Sequence, residues 1–365
     1  MKELGLNPSS FLLKRNKSKS LTQISIFVLM SSGKSYSIRF LIIVAFLIIL
    51  FAADVTIGST YISLADIFET LFSGNETTVH AILWQFRLPK ALTCILAGAG
   101  LAASGLLMQT LFRNPLAGPD VLGLSSGASL AVGLLLLIGR GFNFRLGEWS
   151  LALAAGTGGA FVLLLMLLIA RRVRDNASLL IIGLMLAAAT SSIMSVMQFV
   201  SRADDLQSYV IWTMGSVGNT SWKEISVLFI IFLIGTTIGI FLLKPLNCWL
   251  LGENYARSLG IDITRSRFWM VIATGLMTGG VTAFCGPIAF VGLAVPHLAR
   301  LAMPTTNHKI LLPTVMCGGA MLLLFCDMLS QVALTAQALP LNALTSFIGA
   351  PVVIWQVMKF KKISV

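Results

Sequence analysis

Long apolar runs alternate with short polar segments along most of the chain. An α-helix needs about 20 apolar residues to cross the hydrocarbon core of a bilayer. Ten segments come near that length, at 39–58, 91–112, 121–139, 150–170, 179–200, 224–243, 268–285, 288–303, 310–330 and 342–358. The segment 288–303 is short and is interrupted by Pro296 and His297. It is retained because irregular backbone is tolerated at membrane depth where protein or a cavity surrounds it. The pattern predicts an all-α, polytopic membrane protein with about ten transmembrane helices.

The polar segments set the orientation, because Lys and Arg collect in cytoplasmic loops. With the N-terminus inside, 20 of the 26 Lys and Arg fall on the inner side. They are the seven up to Arg39, then Arg113, Arg171, Arg172, Arg174, Lys244, Arg257, Arg265, Arg267, Arg300, Lys309, Lys359, Lys361 and Lys362. Arg87, Lys90, Arg140, Arg145, Arg202 and Lys223 fall outside. An even number of helices then places both termini in the cytoplasm. Residues 1–38, rich in Lys and Ser, contain only a weak apolar patch at Leu21–Met30. They read as a mobile cytoplasmic tail, partly helical on the membrane surface. Residues 39–365 form the transmembrane domain. No cleavable signal peptide is expected, since the first strong apolar stretch begins late and lacks a small-residue cleavage site.

Composition agrees with this class. Of 365 residues, 56% are hydrophobic and 11% charged, with a mean hydropathy of +0.89. That leaves too little polar surface for a soluble protein of this size. The net charge of +12 sits in short clusters between apolar runs rather than along one face. This marks the cytoplasmic side of a membrane and points away from nucleic acid. Cys94, Cys248, Cys285, Cys317 and Cys326 lie in or beside apolar segments without disulfide-like or zinc-like spacing, so buried free thiols are expected.

Candidate chemistry is sparse. Ser32-Gly33-Lys34-Ser35 resembles the end of a phosphate-binding loop, but Val28 occupies the first glycine position and a membrane helix follows. His80, His297 and His308 are far apart, and none has a carboxylate or cysteine at metal-ligand spacing. No catalytic residues, metal ligands or cofactor are assigned. Asp327 is the one carboxylate that reads as well inside a span, where an acid is a functional candidate by default. It lies near the outer end of its helix, so a polar contact to a neighbouring element is the simpler expectation.

Small residues say more about packing. Gly98, Ala102 and Gly105, and then Gly275, Gly279 and Gly280, recur at spacings that let helix backbones approach closely. The two glycine-rich spans run in opposite directions and lead to related turns, Asn114-Pro115-Leu116-Ala117 and Gly286-Pro287-Ile288-Ala289. This hints at an inverted repeat around a central pathway. Between Lys244 and Arg267 lies the longest cytoplasmic loop. Its stretch Leu250–Leu259 reads as a short helix, with Gly260 as the stop and Glu253 and Arg257 placed i to i+4. Leu250, Leu251, Ala256 and Leu259 are apolar in an aqueous loop and need a covering partner.

Five motifs then carry a resemblance: RLPK at 87–90, SGLLMQTLFRNPLAGPDVLGLSSGA at 104–128, LNCWLLGENYARSLGI at 246–261, GPIAFVGLAVPHLAR at 286–300 and LPLNALTSFIGAPVVIW at 339–355. In order and across separate helices, they resemble the FecCD family from about residue 39 to the C-terminus. These are the permease subunits of bacterial ABC importers for iron-siderophores, haem and cobalamin.

The resemblance implies a type II importer in the bacterial inner membrane. It would be a homodimer or pseudo-dimer of ten-helix subunits with the pathway at their interface. Two ATP-binding-cassette subunits would sit beneath, and an extracytoplasmic substrate-binding protein would dock outside. By that resemblance Leu251, Gly252, Glu253, Ala256, Arg257, Leu259 and Gly260 match the ATPase-coupling helices. Arg87 and Lys90 match basic positions that meet acidic residues of the binding protein, a contact that also sets orientation. Asn176, Ala177 and Ser178 match the inner gate, and Trp212, Met214 and Gly215 the outer end of the pathway.

Two positions depart from the family pattern. Gln331 stands where an arginine usually follows Asp327, and Ala338 where a glutamate usually precedes the Leu-Pro. Both departures reduce the outer charge available for docking, which makes Arg87 and Lys90 the positions at which to test it. No covalent chemistry is implied, since ATP hydrolysis would belong to the partner subunits. The rival reading is an ion- or proton-coupled secondary carrier, which calls for more buried ionisable residues and gives the amphipathic loop no use.

Overall fold

The computed structural model describes residues 36–58, 62–63, 67, 70, 78–138, 149–173, 175–218, 220–332 and 339–361. Residues 1–35 of the proposed tail, with the Ser32–Ser35 motif, and Ala338 lie outside these residues, whereas residues 36–38 belong to the first helix. The chain divides into two compact units, Met1–Ala45 and Phe46–Val365.

The regular elements are helices. They comprise α1 (Tyr36–Thr56), α2 (Thr78–Leu111), α3 (Leu124–Ile138), α4 (Ser150–Arg172), α5 (Asn176–Val200), α6 (Ala203–Thr213) and α7 (Trp222–Phe241). After them come α8 (Leu243–Trp249), α9 (Glu253–Ser258), α10 (Ile263–Cys285), α11 (Val291–Ala302), α12 (His308–Val332) and α13 (Leu341–Lys361). Seven are long and apolar enough to span a bilayer, and α3, α11 and α13 are shorter apolar helices. All ten apolar segments of the sequence therefore become helices. The weak one at 288–303 contracts to α11, after a non-helical turn at 286–290.

Helix α2 is the hub, packing against α12, α10, α11 and α7. It begins earlier than its apolar run because Leu83–Arg87 forms a π-turn, in which the Leu88 N–H bonds the Leu83 carbonyl. Pro89 has no N–H to continue the regular ladder, and the wider turn absorbs the defect. Its inner end stops at an Asx turn, with the Leu116 N–H bonded to Asn114 Oδ1 at 2.9 Å.

The burial of α2 depends on glycine. A Cβ on Gly98 would overlap the Gly319 backbone on α12, and one on Gly105 would overlap the Gly292 carbonyl on α11. Gly275 and Gly280 on α10 face Leu163 and Ile231 side chains, whereas nothing stands within 4 Å of a Cβ at Gly279. Overpacking a core normally costs about 1–3 kcal/mol, with more where backbone rather than a side chain must yield. Gly105→Val is expected to abolish a monodisperse folded peak in detergent size-exclusion with thermal challenge. Gly279→Ala should melt within a degree or two of the parent, about the scale of a neutral surface change.

Candidate functional site

Polar side chains gather at the two ends of the bundle. At the outer end, Arg87 is buried and its Nη1 donates to the Val55 and Thr56 carbonyls, both at 2.7 Å. These are C-terminal carbonyls of α1, which a cation satisfies both as acceptors and as the negative end of the helix dipole. Lys90 Nζ pairs with Asp327 Oδ2 at 2.7 Å, with side-chain exposures of 14% and 8%. Gln331 Nε2 donates to the same Asp327 oxygen at 2.6 Å. Buried Asp54 on α1 lies within electrostatic reach of Asp327, Lys90 and Arg87.

Arg87 and Lys90 are both engaged inside the fold. The glutamine at 331 takes a neutral bond to Asp327, and Lys90 supplies the compensating charge from inside the fold. Asp327 makes the polar contact to a neighbouring element that its position suggested. Asp54 was missed as its counterpart, although an aspartate four residues from the end of an apolar run was the available signal.

Lys90, Met214 and Gly215 line one outer cavity of about 290 Å³ together with Asp327, Ser330 and Gln331. Met214 and Gly215 are held there by backbone bonds. The Asn342 N–H donates to the Met214 carbonyl at 3.1 Å, and the Ser216 N–H to the Cys285 carbonyl at 2.8 Å. Gly215 has φ 69, where a Cβ would lie 3.0 Å from the Pro287 carbonyl oxygen. Trp212 does not line that cavity. It stacks on Tyr209 with ring centroids 6.5 Å apart.

A second cavity, of about 270 Å³, lies between α3 and α5. Ser125, Ser126 and Ser129 line it from α3, and Thr190, Ser191, Ser195 and Gln198 from α5.

At the inner end, the α8–α9 segment is amphipathic. Trp249 and Ala256 are fully buried, whereas Leu250, Leu251, Tyr255 and Leu259 are 40%, 62%, 55% and 52% exposed. Ala256 is therefore covered by this chain itself, a correction to the expectation that it needs a partner. The expected single helix over Leu250–Leu259 is broken at Gly252, which has φ 105, a conformation that side chains resist. Gly260 stops α9 as its sequence suggested, with φ 80 and the Ile261 N–H bonded to the Ala256 carbonyl at 3.1 Å. Arg257 and Leu259 point to solvent. Glu253 bonds not within its own helix but with Asn176 Nδ2 at 2.6 Å and Arg267 Nη2 at 3.4 Å.

Asn176, Ala177 and Ser178 form the first turn of α5. Asp175 caps it, accepting from the Ser178 N–H at 2.8 Å and the Ser178 hydroxyl at 2.9 Å. These bonds hold the Asp175 carboxyl below its usual range. Histidines build the remaining inner network. His308 Nδ1 donates to Asn247 Oδ1 at 2.8 Å, and His308 Nε2 meets Thr110 Oγ1 at 2.9 Å. His297 Nε2 donates to the Pro115 carbonyl at 2.8 Å, and Arg300 Nη1 to Gln109 Oε1 at 2.8 Å. Side chains of this kind fasten the α8 segment and the Asn114-Pro115 turn to the bundle.

Ten apolar helices with charged side chains gathered near their ends define a polytopic membrane protein. Residues 45–359 match the FecCD transport family, and the chain belongs to it. The vitamin B12 import system permease protein BtuC of Salmonella paratyphi A is 39% identical over 278 residues, which is 76% of this chain and 83% of the relative. BtuC of Salmonella typhi is 40% identical over the same length and shares. A solved inward-facing chain of a metal-chelate type ABC transporter superimposes with a TM-score of 0.77 at 30% identity, covering 89% of this chain and 99% of that one. The protein is therefore the permease subunit of an ABC importer, a multi-pass protein of the bacterial inner membrane. The secondary-carrier alternative falls with that membership.

Removing one partner of a buried ion pair costs about 3–5 kcal/mol, because the other charge stays buried. Lys90→Met is expected to lower stability by about 3 kcal/mol, leaving Asp54 and Asp327 with Arg87 alone. Lys90→Met combined with Asp327→Asn should regain most of the loss, as read by thermal melting in detergent.

Proposed function

We propose that this subunit moves a large metal chelate through a pathway shared by two copies of the chain. Two ATPase subunits dock beneath the α8–α9 segments, and an extracytoplasmic binding protein delivers the cargo. The observation that carries the ATPase contact is the exposed apolar side of the α8–α9 segment, on the end that the Lys and Arg count places in the cytoplasm. Leu251 and Leu259 are its centre, with Gly252, Glu253, Ala256, Arg257 and Gly260 shaping it. Apolar surface of this kind is stabilised by burial at roughly 25 cal/mol per Å².

The hydroxyl-lined cavity between α3 and α5 supports a pathway along α5. Lipid-facing cavities gain nothing from hydroxyl linings, whereas a wetted path does. Asn176–Ser178 then lie at the inner end of that path, and Met214 and Gly215 at its outer end, with Trp212 bracing the turn behind them. For the binding protein, an acidic residue reaching the outer cavity would compete with Asp327 for Lys90. Docking there proceeds by exchange of ion-pair partners rather than by meeting a free cation, with Arg87 holding α1 in place.

The curated relatives import vitamin B12, and the solved neighbour is of the metal-chelate type. Cobalamin, itself a metal chelate, is the first cargo to test, ahead of ferric siderophores and haem. ATP-driven closure of the ATPase pair would bias the pathway between two states open to opposite sides.

Leu251→Glu with Leu259→Glu is expected to abolish co-purification of the ATPase while the chain stays monodisperse. Retention of stoichiometric ATPase would remove the segment from the interface. Ser191→Cys and Ser195→Cys, in a chain freed of its own cysteines, are expected to react with a membrane-impermeant maleimide at least about tenfold faster than Phe199→Cys. Equal rates would place α5 wholly in lipid. Uptake of labelled cobalamin and of a ferric siderophore into proteoliposomes containing the whole importer decides the cargo.

A further inference from the structure

Asn176 opens α5 and Glu253 opens α9, yet the Asn176 amide donates to Glu253 Oε1 at 2.6 Å across 77 residues of sequence. The same amide nitrogen donates to the Leu111 carbonyl at 2.9 Å, at the inner end of α2. Arg267 of α10, itself buried, donates to Glu253 Oε1 at 3.4 Å and to the Val173 carbonyl at 3.0 Å. A single carboxylate oxygen therefore joins the α8–α9 segment, the first turn of α5 and α10. An i to i+4 pair with Arg257 was available on the same short helix. Glu253 is instead committed to partners elsewhere in the fold.

We propose that Glu253 is a positioning residue that transmits movement of the α8–α9 segment to the first turn of α5, with Asn176 as the receiving group. This rests on the α8–α9 segment being the ATPase-docking element. A charge-assisted bond of this length is directional, and it is stronger in partly buried surroundings than in water. Displacement of α9 must therefore either drag Asn176 or break the bond. Of the elements tied to Glu253, α5 has the least packing inside its own chain. In its most apolar window only 17% of α5 is buried, against 67% for α10 and 83% for α2. Movement at the cytoplasmic surface is thus passed to the helix least fixed by its own chain, at the end where the pathway would close.

The test exchanges the polarity of the contact. Asn176→Asp sets two carboxylates against each other, whereas Asn176→Asp with Glu253→Gln restores a donor–acceptor pair, the new amide donating to the new carboxylate. Each chain is reconstituted with its ATPase subunits in nanodiscs. Hydrogen exchange is followed at residues 176–182 and 253–260, with and without ATP plus vanadate. In the parent, nucleotide alters exchange at both stretches. Asn176→Asp is expected to keep the response at 253–260 and to reduce that at 176–182 about fivefold, with the double variant recovering to within about twofold. An unchanged response at 176–182 in Asn176→Asp, or no recovery in a folded double variant, overturns the link while leaving ATPase docking intact. Absence of any ATPase-dependent protection at 253–260 in the parent overturns the docking role, and the link with it.

Discussion

The fold depends on how closely α2 can approach its neighbours. Within lipid the helices gain little from hydrophobic driving force, because lipid tails are as apolar as leucine, so association rests on packing and on polar contacts between helices. Gly98 meets Gly319, and Gly105 meets Gly292, with backbone against backbone. Removing side chains at these crossings lets α11 and α12 bring their whole length into contact with α2. Everything else is positioned from that cluster: α10 packs on α2 from another side, α7 rests on both, and α4 packs on α10.

Around this core the helices divide into two kinds. Helices α2, α10 and α12 have 83%, 67% and 61% of their most apolar windows buried, whereas α4, α5 and α7 have 22%, 17% and 22%. The exposed group carries large apolar residues such as Phe161, Phe199, Phe229 and Phe241 toward its surroundings. Such a surface belongs in lipid or against another apolar protein face.

Polar groups are placed with equal economy. Buried ionisable residues in a membrane protein are costly, and here they gather near the bundle ends. The outer set of Asp54, Arg87, Lys90 and Asp327 ties α1, α2 and α12 together. The inner sets around His308 and Glu253 tie the cytoplasmic segments to α2, α5 and α10. The apolar middle is left free of charge among the described residues named here, which fits a path that holds its cargo weakly.

The sequence by itself determined the class, the ten apolar helices, the orientation, the stops at Gly260 and Asn114, and the family. The class and the helices follow from composition and local periodicity, which bilayer thickness and backbone hydrogen bonding constrain strongly, and the family from five motifs in order along the chain. Partner choice was decided only by tertiary structure. Sequence spacing offered Glu253 to Arg257 and left Asp327 without an evident partner, and the family resemblance gave Arg87 to a docking protein. The folded chain gives Glu253 to Asn176 and Arg267, Asp327 to Lys90 and Gln331, and Arg87 to the end of α1. The physical reason is that a side chain's periodicity fixes its face on a helix, whereas a buried charge bonds whatever the packing of remote helices brings within about 3 Å.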